Sequence, residues 1–323
     1  MVIKIILFFL FFSLSQHSRA QHLPFFINTT EADGLSDNRI TCFYKDNTGY
    51  MWIGTENGLN RFDGVNFKIY RPIPDKKKTL SHSFITAITQ NDDGDIIAAT
   101  KKGVTRINAA SGFSEIINYE DNLSKINLAA ESVWDVYPDG EKLWIAIDGK
   151  PLLCYNTKTK KALYYDFKNF LNNNKIEFTA LYHSIFKILP DGKSGLWLAT
   201  TEGIVHLDKI TGAFTLMAGI ALDEITLFKY NADAQKIYCT DEKNILYIFD
   251  IAAKKLNSIS LNTAAMQNKK LRPYFEASAD FFISSAGGIA LTDDKGSITA
   301  YLLGSEKASG LLPGKIKTIY QDN

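Results

Sequence analysis

The stretch that decides the fold runs from Gly34 to Asp63 and reads GLSDNRITCFYKDNTGYMWIGTENGLNRFD. Its first half contains RITCFYKD, in which apolar and polar residues alternate as in a half-buried strand. The turn DNTG follows, then the aromatic-rich segment YMWIGT, a second turn at Asn-Gly, and the segment LNRFD. Short strand-like segments joined by tight Asp/Asn-Gly turns predict antiparallel hairpins. One copy of the pattern therefore predicts adjacent β-strands.

The pattern recurs along the chain. A shift of 45 residues places Ile40 on Ile85, and a shift of 145 residues places Trp52 on Trp197. Weaker copies fill the gaps between these, and the pattern starts again at Gly310. The sequence therefore predicts six repeats and the opening of a seventh. Their mean spacing of about 46 residues is in the range of propeller blades.

Each repeat reads as four short strands, so the predicted fold is all-β: a β-propeller of four-stranded antiparallel blades. Tryptophan at one point of the second strand is expected to fill the space where neighbouring blades splay apart. We expect a ring of seven blades, which this sequence would leave incomplete or would close with Leu23–Thr30. The segment around Asn172–Asn174 is expected to be a solvated loop between blades. The predicted propeller spans residues 21–323, with blades at 34–78, 79–122, 123–172, 173–220, 221–268 and 269–309, and the next beginning at 310–323.

The N-terminus is typical of a secretory signal peptide over residues 1–20. Lys4 precedes an apolar run from Ile5 to Leu14, and small residues at Ser18 and Ala20 form a cleavage signal. The run is shorter than the roughly 20 residues of a membrane-spanning helix. An uncleaved N-terminal anchor is the alternative. Both interpretations place the remaining chain outside the cytoplasm, and we expect it to be periplasmic.

Composition and motifs exclude several functions. The formal net charge of +1 gives no basic excess for nucleic-acid binding. Cys42, Cys154 and Cys239 form an odd count in strand-like runs, which predicts buried small residues rather than a disulfide framework. Gln90–Asp95 resembles part of a calcium loop but lacks the required glutamate. We find no catalytic constellation and expect no metal and no cofactor.

The candidate ligand-binding residues lie in the loops that enter the first strand of each blade. In a propeller these loops ring the central axis, so their polar side chains converge on one face, as binding of a sugar would require. The alternative is that residues such as Asn38 and Ser83 cap the backbone of their own loops. The candidates are Asp37, Asn38, Arg39, His82, Ser83 and His183.

The first repeat closely resembles the two-component regulator propeller repeat, and Met51 stands where that family usually has leucine. The resemblance implies the periplasmic sensor of a hybrid two-component regulator from Bacteroidetes. In such proteins two seven-bladed propellers precede a β-sandwich, a membrane span and a histidine kinase, and the usual signals are oligosaccharides released from glycans. The matching positions are Asn38, Ile40, Asp46, Gly49, Trp52–Thr55, Gly58, Leu59 and Arg61–Asp63.

The resemblance extends the expectation beyond this chain. We expect either a fragment of a longer gene or the product of a truncated reading frame. The full-length regulator is expected to be anchored in the inner membrane, to form a homodimer and to carry the kinase. Only parts beyond residue 323 would contact the membrane. Two alternatives stay open: a secreted propeller that binds carbohydrate or protein without a kinase, and a propeller enzyme such as a lyase or hydrolase. The enzyme would need catalytic side chains clustered at the central tunnel.

Overall fold

The fold was analysed in a computed structural model, which describes residues 28–74, 76, 78–121, 126–173, 184–222, 225–241, 245–260, 280–284, 288–292 and 298–303. The predicted signal peptide, His183 and the restart at 310–323 lie outside these residues, as does most of Leu23–Thr30. A 3-10 helix at Glu31–Asp33 precedes the first strand. The first antiparallel sheet has the strand order 1-2-3-4. Its strands are β1 (Ile40–Lys45), β2 (Met51–Thr55), β3 (Gly58–Phe62) and β4 (Phe67–Tyr70).

The same four-stranded meander recurs along the described chain. The second sheet contains β5 (Ile85–Gln90), β6 (Ile96–Thr100), β7 (Val104–Ile107) and β8 (Ser114–Ile116). A short pair, β9 (Glu120–Asp121) and β10 (Ile126–Asn127), and a 3-10 helix at Leu128–Ala130 lead to the third sheet. That sheet contains β11 (Val133–Asp139), β12 (Lys142–Ile147), β13 (Leu152–Asn156) and β14 (Ala162–Tyr165).

Three further sheets follow. The fourth contains β15 (Ile185–Pro190), β16 (Gly195–Thr200), β17 (Gly203–Asp208) and β18 (Phe214–Gly219). The fifth contains β19 (Ile225–Asn231), β20 (Lys236–Asp241), β21 (Ile245–Asp250) and β22 (Lys255–Ser260). The sixth has three described strands, β23 (Asp280–Ser284), β24 (Gly288–Thr292) and β25 (Ile298–Leu303).

The sheets stack in chain order, as blades of a propeller do. The first strand of each sheet contacts the first strand of the next, from β1 through β5, β11, β15 and β19 to β23. Each apolar core joins two neighbouring sheets, because alternate residues of a strand point to opposite faces. In the second sheet, Ile96 packs toward the first sheet and Ile97 toward the third. The predicted propeller architecture is confirmed, whereas the number of blades in the ring stays a prediction.

The tryptophans of the second strands lie between sheets, as the repeat predicted. Trp52 packs against the second sheet, Trp144 against the fourth and Trp197 against the fifth. Trp52 is completely buried, and its indole Nε1 donates a 2.6 Å hydrogen bond to Asp46 Oδ2. The same carboxylate accepts from the backbone of the β1–β2 turn. The Asp-x-x-Gly turn and the tryptophan therefore form one structural unit.

The predicted loop around Asn172–Asn174 is wrong in part. Residues Phe167–Asn173 form the helix α1, which the sequence analysis did not predict. Phe167 and Leu171 are four residues apart, so they lie on one face of the helix, and both are buried in the core between the third and fourth sheets. Burial of this apolar face stabilises a helix that would be too short to persist alone.

Candidate functional site

One end of the sheets, called here the axial rim, is built from two kinds of loop. In each of the first four sheets, the turn between the second and third strands donates a backbone hydrogen bond to the segment that enters the first strand. The repeated bond places aligned residues at equivalent points of the rim. Its four instances are Glu56 N to Arg39 O, Lys101 N to Phe84 O, Asp148 N to Ser132 O and Thr201 N to Ser184 O.

Asp37 and Arg39 form an ion pair on the first rim loop. The guanidinium donates to both carboxylate oxygens of Asp37, at 3.0 and 2.8 Å, and Arg39 also contacts Glu56 at 2.8 Å. Asp37 is buried, whereas the Arg39 side chain is 64% exposed. Hydrogen bonding from Arg39 holds the pKa of Asp37 below its usual value. Asp37 is thus an ionised anchor that orients Arg39 at the surface.

Asn38 and His82 bond to nearby backbone. Asn38 Oδ1 accepts from Glu31 N at 2.9 Å, and Asn38 N donates to the Glu31 carboxylate at 3.0 Å. His82 Nδ1 accepts from Phe84 N at 3.0 Å on the equivalent loop of the second sheet. Burial and then the charge of Lys102 lower the pKa of His82, so its imidazole is neutral near pH 7. Asn38 has the backbone-capping bonds that the alternative interpretation described.

The two remaining candidate residues are Ser83 and His183. Ser83 is half-buried on the same loop as His82. His183 lies outside the described residues, directly before Ser184. The structure therefore places five of the six predicted residues on equivalent loops of the first two sheets. Their contact with a ligand stays a prediction.

A bulge in the first strand of each of the first five sheets changes where side chains point at the rim. The pairing register of the first and second strands shifts at the second residue of β1, β5, β11, β15 and β19. A bulge leaves its extra residue unpaired and re-aims its side chain. The bulged residue is threonine in the first two sheets, Trp134 in the third and Phe186 in the fourth.

Trp134 and Phe186 form an aromatic pair across neighbouring sheets. Their ring centroids are 5.5 Å apart at an interplanar angle of 78°, the edge-to-face geometry that aromatic quadrupoles favour. Both side chains are half-buried, so part of each ring stays open to solvent. The pair is a rigid, partly exposed apolar surface at the mouth of the innermost strands.

Polar groups surround this pair. Trp134 Nε1 donates to Asp148 Oδ1 at 3.0 Å, and Ser184 Oγ donates to the same oxygen at 2.7 Å. The Lys101 ammonium lies 4.0 Å from the centroid of the Trp134 ring and 5.6 Å from that of Phe84. Aromatic faces with a few convergent polar groups are typical of sites for small organic ligands. We call these four residues the aromatic rim site: Lys101, Trp134, Asp148 and Phe186.

The aromatic rim site was not among the predicted residues, which were all taken from the entry loops before the first strands. A signal was present. Val133 and Ile185 occupy the position of Ile40, so the following residues, Trp134 and Phe186, occupy the position of Thr41. Two aromatic residues at a position where other repeats carry threonine, beside the expected axis, indicated a surface that packing of the blades did not require.

A second concave surface lies between the second and third sheets, with a cavity of about 450 Å³. Arg106 at its wall binds Glu115 at 2.8 Å, and Lys158 binds Glu141 at 2.6 Å. These cations are already paired with carboxylates, so the axial rim is the better candidate for recognition. Among the described residues, no group of three His, Cys, Asp or Glu side chains could hold a metal ion.

Comparison with known proteins agrees with the repeat. Residues 34–57 match the family described as two component regulator propeller. Histidine kinase P4 of Formosa agariphila is 43% identical over 82 residues, which are 25% of this chain and 6% of that protein. The resemblance predicted from the sequence is therefore confirmed: the chain carries the two-component regulator propeller repeat.

Solved structures show the same fold over nearly the whole chain. The extracellular domain of the hybrid two-component system BT3049 from B. thetaiotaomicron aligns with a TM-score of 0.69 and 16% identity, over 92% of this chain and 39% of that one. The extracellular domain of BT4673 from the same organism aligns with a TM-score of 0.67 and 17% identity, over 93% and 40%. The chain thus spans about two fifths of these structures. Within the described residues, no helix has the length and apolar character needed to cross a membrane.

Proposed function

We propose that this chain is an exported ligand-sensing propeller of a hybrid two-component regulator, and that it binds an oligosaccharide released from a glycan at the axial rim. The match of residues 34–57 to the two-component regulator propeller carries this proposal. The resemblance to domains described as extracellular supports a periplasmic location. We further propose that the chain acts within a longer, membrane-anchored homodimer whose histidine kinase reads the bound state.

The aromatic rim site supports a sugar as the ligand. A pyranose ring presents a face of C–H groups and an edge of hydroxyl groups, so it needs an apolar surface bordered by hydrogen-bonding groups. Trp134 and Phe186 supply the surface, and Asp148 supplies an acceptor for hydroxyl groups. Signalling would require that the ligand favour one arrangement of the sensor over another, since a ligand shifts an equilibrium only by its differential affinity.

A thermal-shift screen tests this proposal. The purified chain is melted alone and with neutral and acidic oligosaccharides from plant, algal and host glycans. Binding at a hundredfold excess over the dissociation constant stabilises the folded state by about 2.7 kcal/mol. The melting temperature should then rise by a few degrees. No rise with any oligosaccharide would contradict the proposal.

Two variants connect such a shift to the rim. Trp134→Ala removes the larger ring of the aromatic pair and should abolish the ligand-induced rise. Phe113→Ala removes an exposed aromatic side chain from the turn before β8, at the opposite end of the second sheet, and should leave the rise unchanged. Equal loss of the rise in both variants would argue against the rim as the binding surface.

A further inference from the structure

Two consecutive lysines, Lys101 and Lys102, occupy the rim turn between β6 and β7. The Lys101 ammonium lies on the Trp134 face, and its side chain is half-buried. Among the described residues, neither ammonium forms an ion pair with a carboxylate. The faces of Trp134 and Phe84 therefore hold an ammonium group that forms no ion pair with a described carboxylate.

The equivalent turns of neighbouring sheets differ in this respect. In the first sheet, Glu56 of the rim turn contacts Arg39 at 2.8 Å. In the third sheet, Lys150 of the rim turn contacts Glu131 at 4.0 Å. Among the described rim turns of the first four sheets, lysines without a carboxylate partner thus occur in the second sheet, where Lys101 lies on the Trp134 ring. Burial first, and then the charge of Lys102, lower the pKa of the neighbouring His82.

We infer that the aromatic rim site recognises an acidic sugar, namely a pyranose that bears a carboxylate or sulfate group. This inference rests on the proposed function and names the class of its ligand. The sugar ring stacks on the exposed part of Trp134 and Phe186. Its anionic group then accepts hydrogen bonds from Lys101 and Lys102, because charge-assisted hydrogen bonds are stronger than neutral ones.

Asp148 lies close to Trp134 and limits where the anion can bind. Its Oδ1 accepts from the indole Nε1 and from Ser184, at the edge of the ring, whereas Lys101 lies over the face. The two sides of the ring therefore carry opposite charge. An acidic sugar would place its anionic group toward the lysines and a hydroxyl donor toward Asp148, which also fixes the orientation of the sugar.

The test compares uronate oligosaccharides with the same oligosaccharides after methyl esterification, which removes the charge and keeps the rings. Titration calorimetry with the full chain should show at least tenfold tighter binding of the acidic form. Raising the salt concentration from 50 to 500 mM should weaken binding of the acidic form and leave the ester unchanged, because salt screens exposed charges.

Lys101→Met keeps the apolar stem and removes the charge. It should reduce the preference for the acidic form about tenfold and leave binding of the ester within twofold. Lys158→Met is the matched control. Lys158 lies in the turn between β13 and β14, at the other end of the sheets from the rim, and forms an ion pair with Glu141. The control should retain the full preference.

The outcomes separate this inference from the proposed function. Equal binding of acid and ester, or an unchanged preference in Lys101→Met, would overturn the acidic-sugar inference while sugar binding stands. Sulfated oligosaccharides form a second arm of the test. If they bind with the same lysine dependence and uronates do not, the anionic group is a sulfate. If no oligosaccharide of either charge binds, both the inference and the proposed function are contradicted.

Discussion

The hydrogen bond from Trp52 to Asp46 should stabilise the first blade by an amount that can be measured against an internal control. Trp52 Nε1 is buried, and its acceptor Asp46 Oδ2 lies 2.6 Å away. Loss of the acceptor leaves a buried donor unsatisfied, which costs about 1–3 kcal/mol. Asp46→Ala also removes bonds from the turn at Thr48 and Tyr50, so the total loss should reach roughly 3–4 kcal/mol.

The fourth sheet offers the control. Asp191 occupies the position of Asp46, but His206 Nε2 contacts its carboxylate at 3.0 Å. Trp197 Nε1 is buried and has no hydrogen-bond partner within the part of the chain that the structure describes. Asp191→Ala should therefore remove turn and histidine bonds without changing the bonding of the indole. The two aspartates share turn chemistry and differ in the bond to tryptophan.

Double-mutant cycles isolate that bond. The first cycle combines Asp46→Ala with Trp52→Phe, and the second combines Asp191→Ala with Trp197→Phe. Urea unfolding should give a coupling free energy of about 1–2 kcal/mol for the first pair and less than about 0.5 kcal/mol for the second. Equal couplings would refute the argument that the carboxylate specifically satisfies the buried indole.

Three further predictions concern stability. Burial raises the pKa of the Asp135 carboxyl group. The contribution of this group to the free energy of unfolding is therefore present below its ordinary pKa of 3.8 and is lost as the pH rises through the raised pKa. The stability of Asp135→Asn relative to the wild type should thus increase with pH across that window in urea titrations, and a constant difference would contradict this. Thr55→Val removes the bond to the Gly58 carbonyl oxygen and should cost about 1–2 kcal/mol in the same assay, whereas no loss would mean that the rim turn does not depend on it. Gly203 has a φ of +127°, and Gly203→Ala places a methyl group against the Ala218 carbonyl oxygen. This substitution should lower the free energy of unfolding by at least about 2 kcal/mol more than Gly140→Ala, where a methyl group would meet nothing within 4 Å. Equal losses of stability in the two variants would contradict the prediction.

The sequence predicted the sheets because each blade obeys local rules. Asp46, Gly49 and Trp52 have the spacing that a hairpin requires, and the stacking of Trp52 against the next sheet follows from a strand buried on both faces. The helix α1 was missed because its stability comes from the burial of Phe167 and Leu171 between the third and fourth sheets, a packing contact that exists only in the folded protein.

The sequence predicted which loops lie at the axial rim, but it did not predict the aromatic side chains there. The entry loops of Asp37 and His82 lie where the repeat placed them, since backbone bonds fix equivalent loops at one end. The pair of Trp134 and Phe186 depends on a bulge in each first strand and on contact between sheets. Neither the register shift nor the edge-to-face packing follows from local pattern, so only the three-dimensional structure brings Lys101 onto the Trp134 ring.

The indole N–H signals of the four tryptophans test the central claim most directly. Trp52, Trp144 and Trp197 are buried between sheets, whereas Trp134 is half-buried at the axial rim. With ¹⁵N-labelled protein and an oligosaccharide identified by thermal shift, the Trp134 Nε1–H signal should move on titration and the other three should remain. Saturable binding that leaves the Trp134 signal in place would contradict recognition at the axial rim.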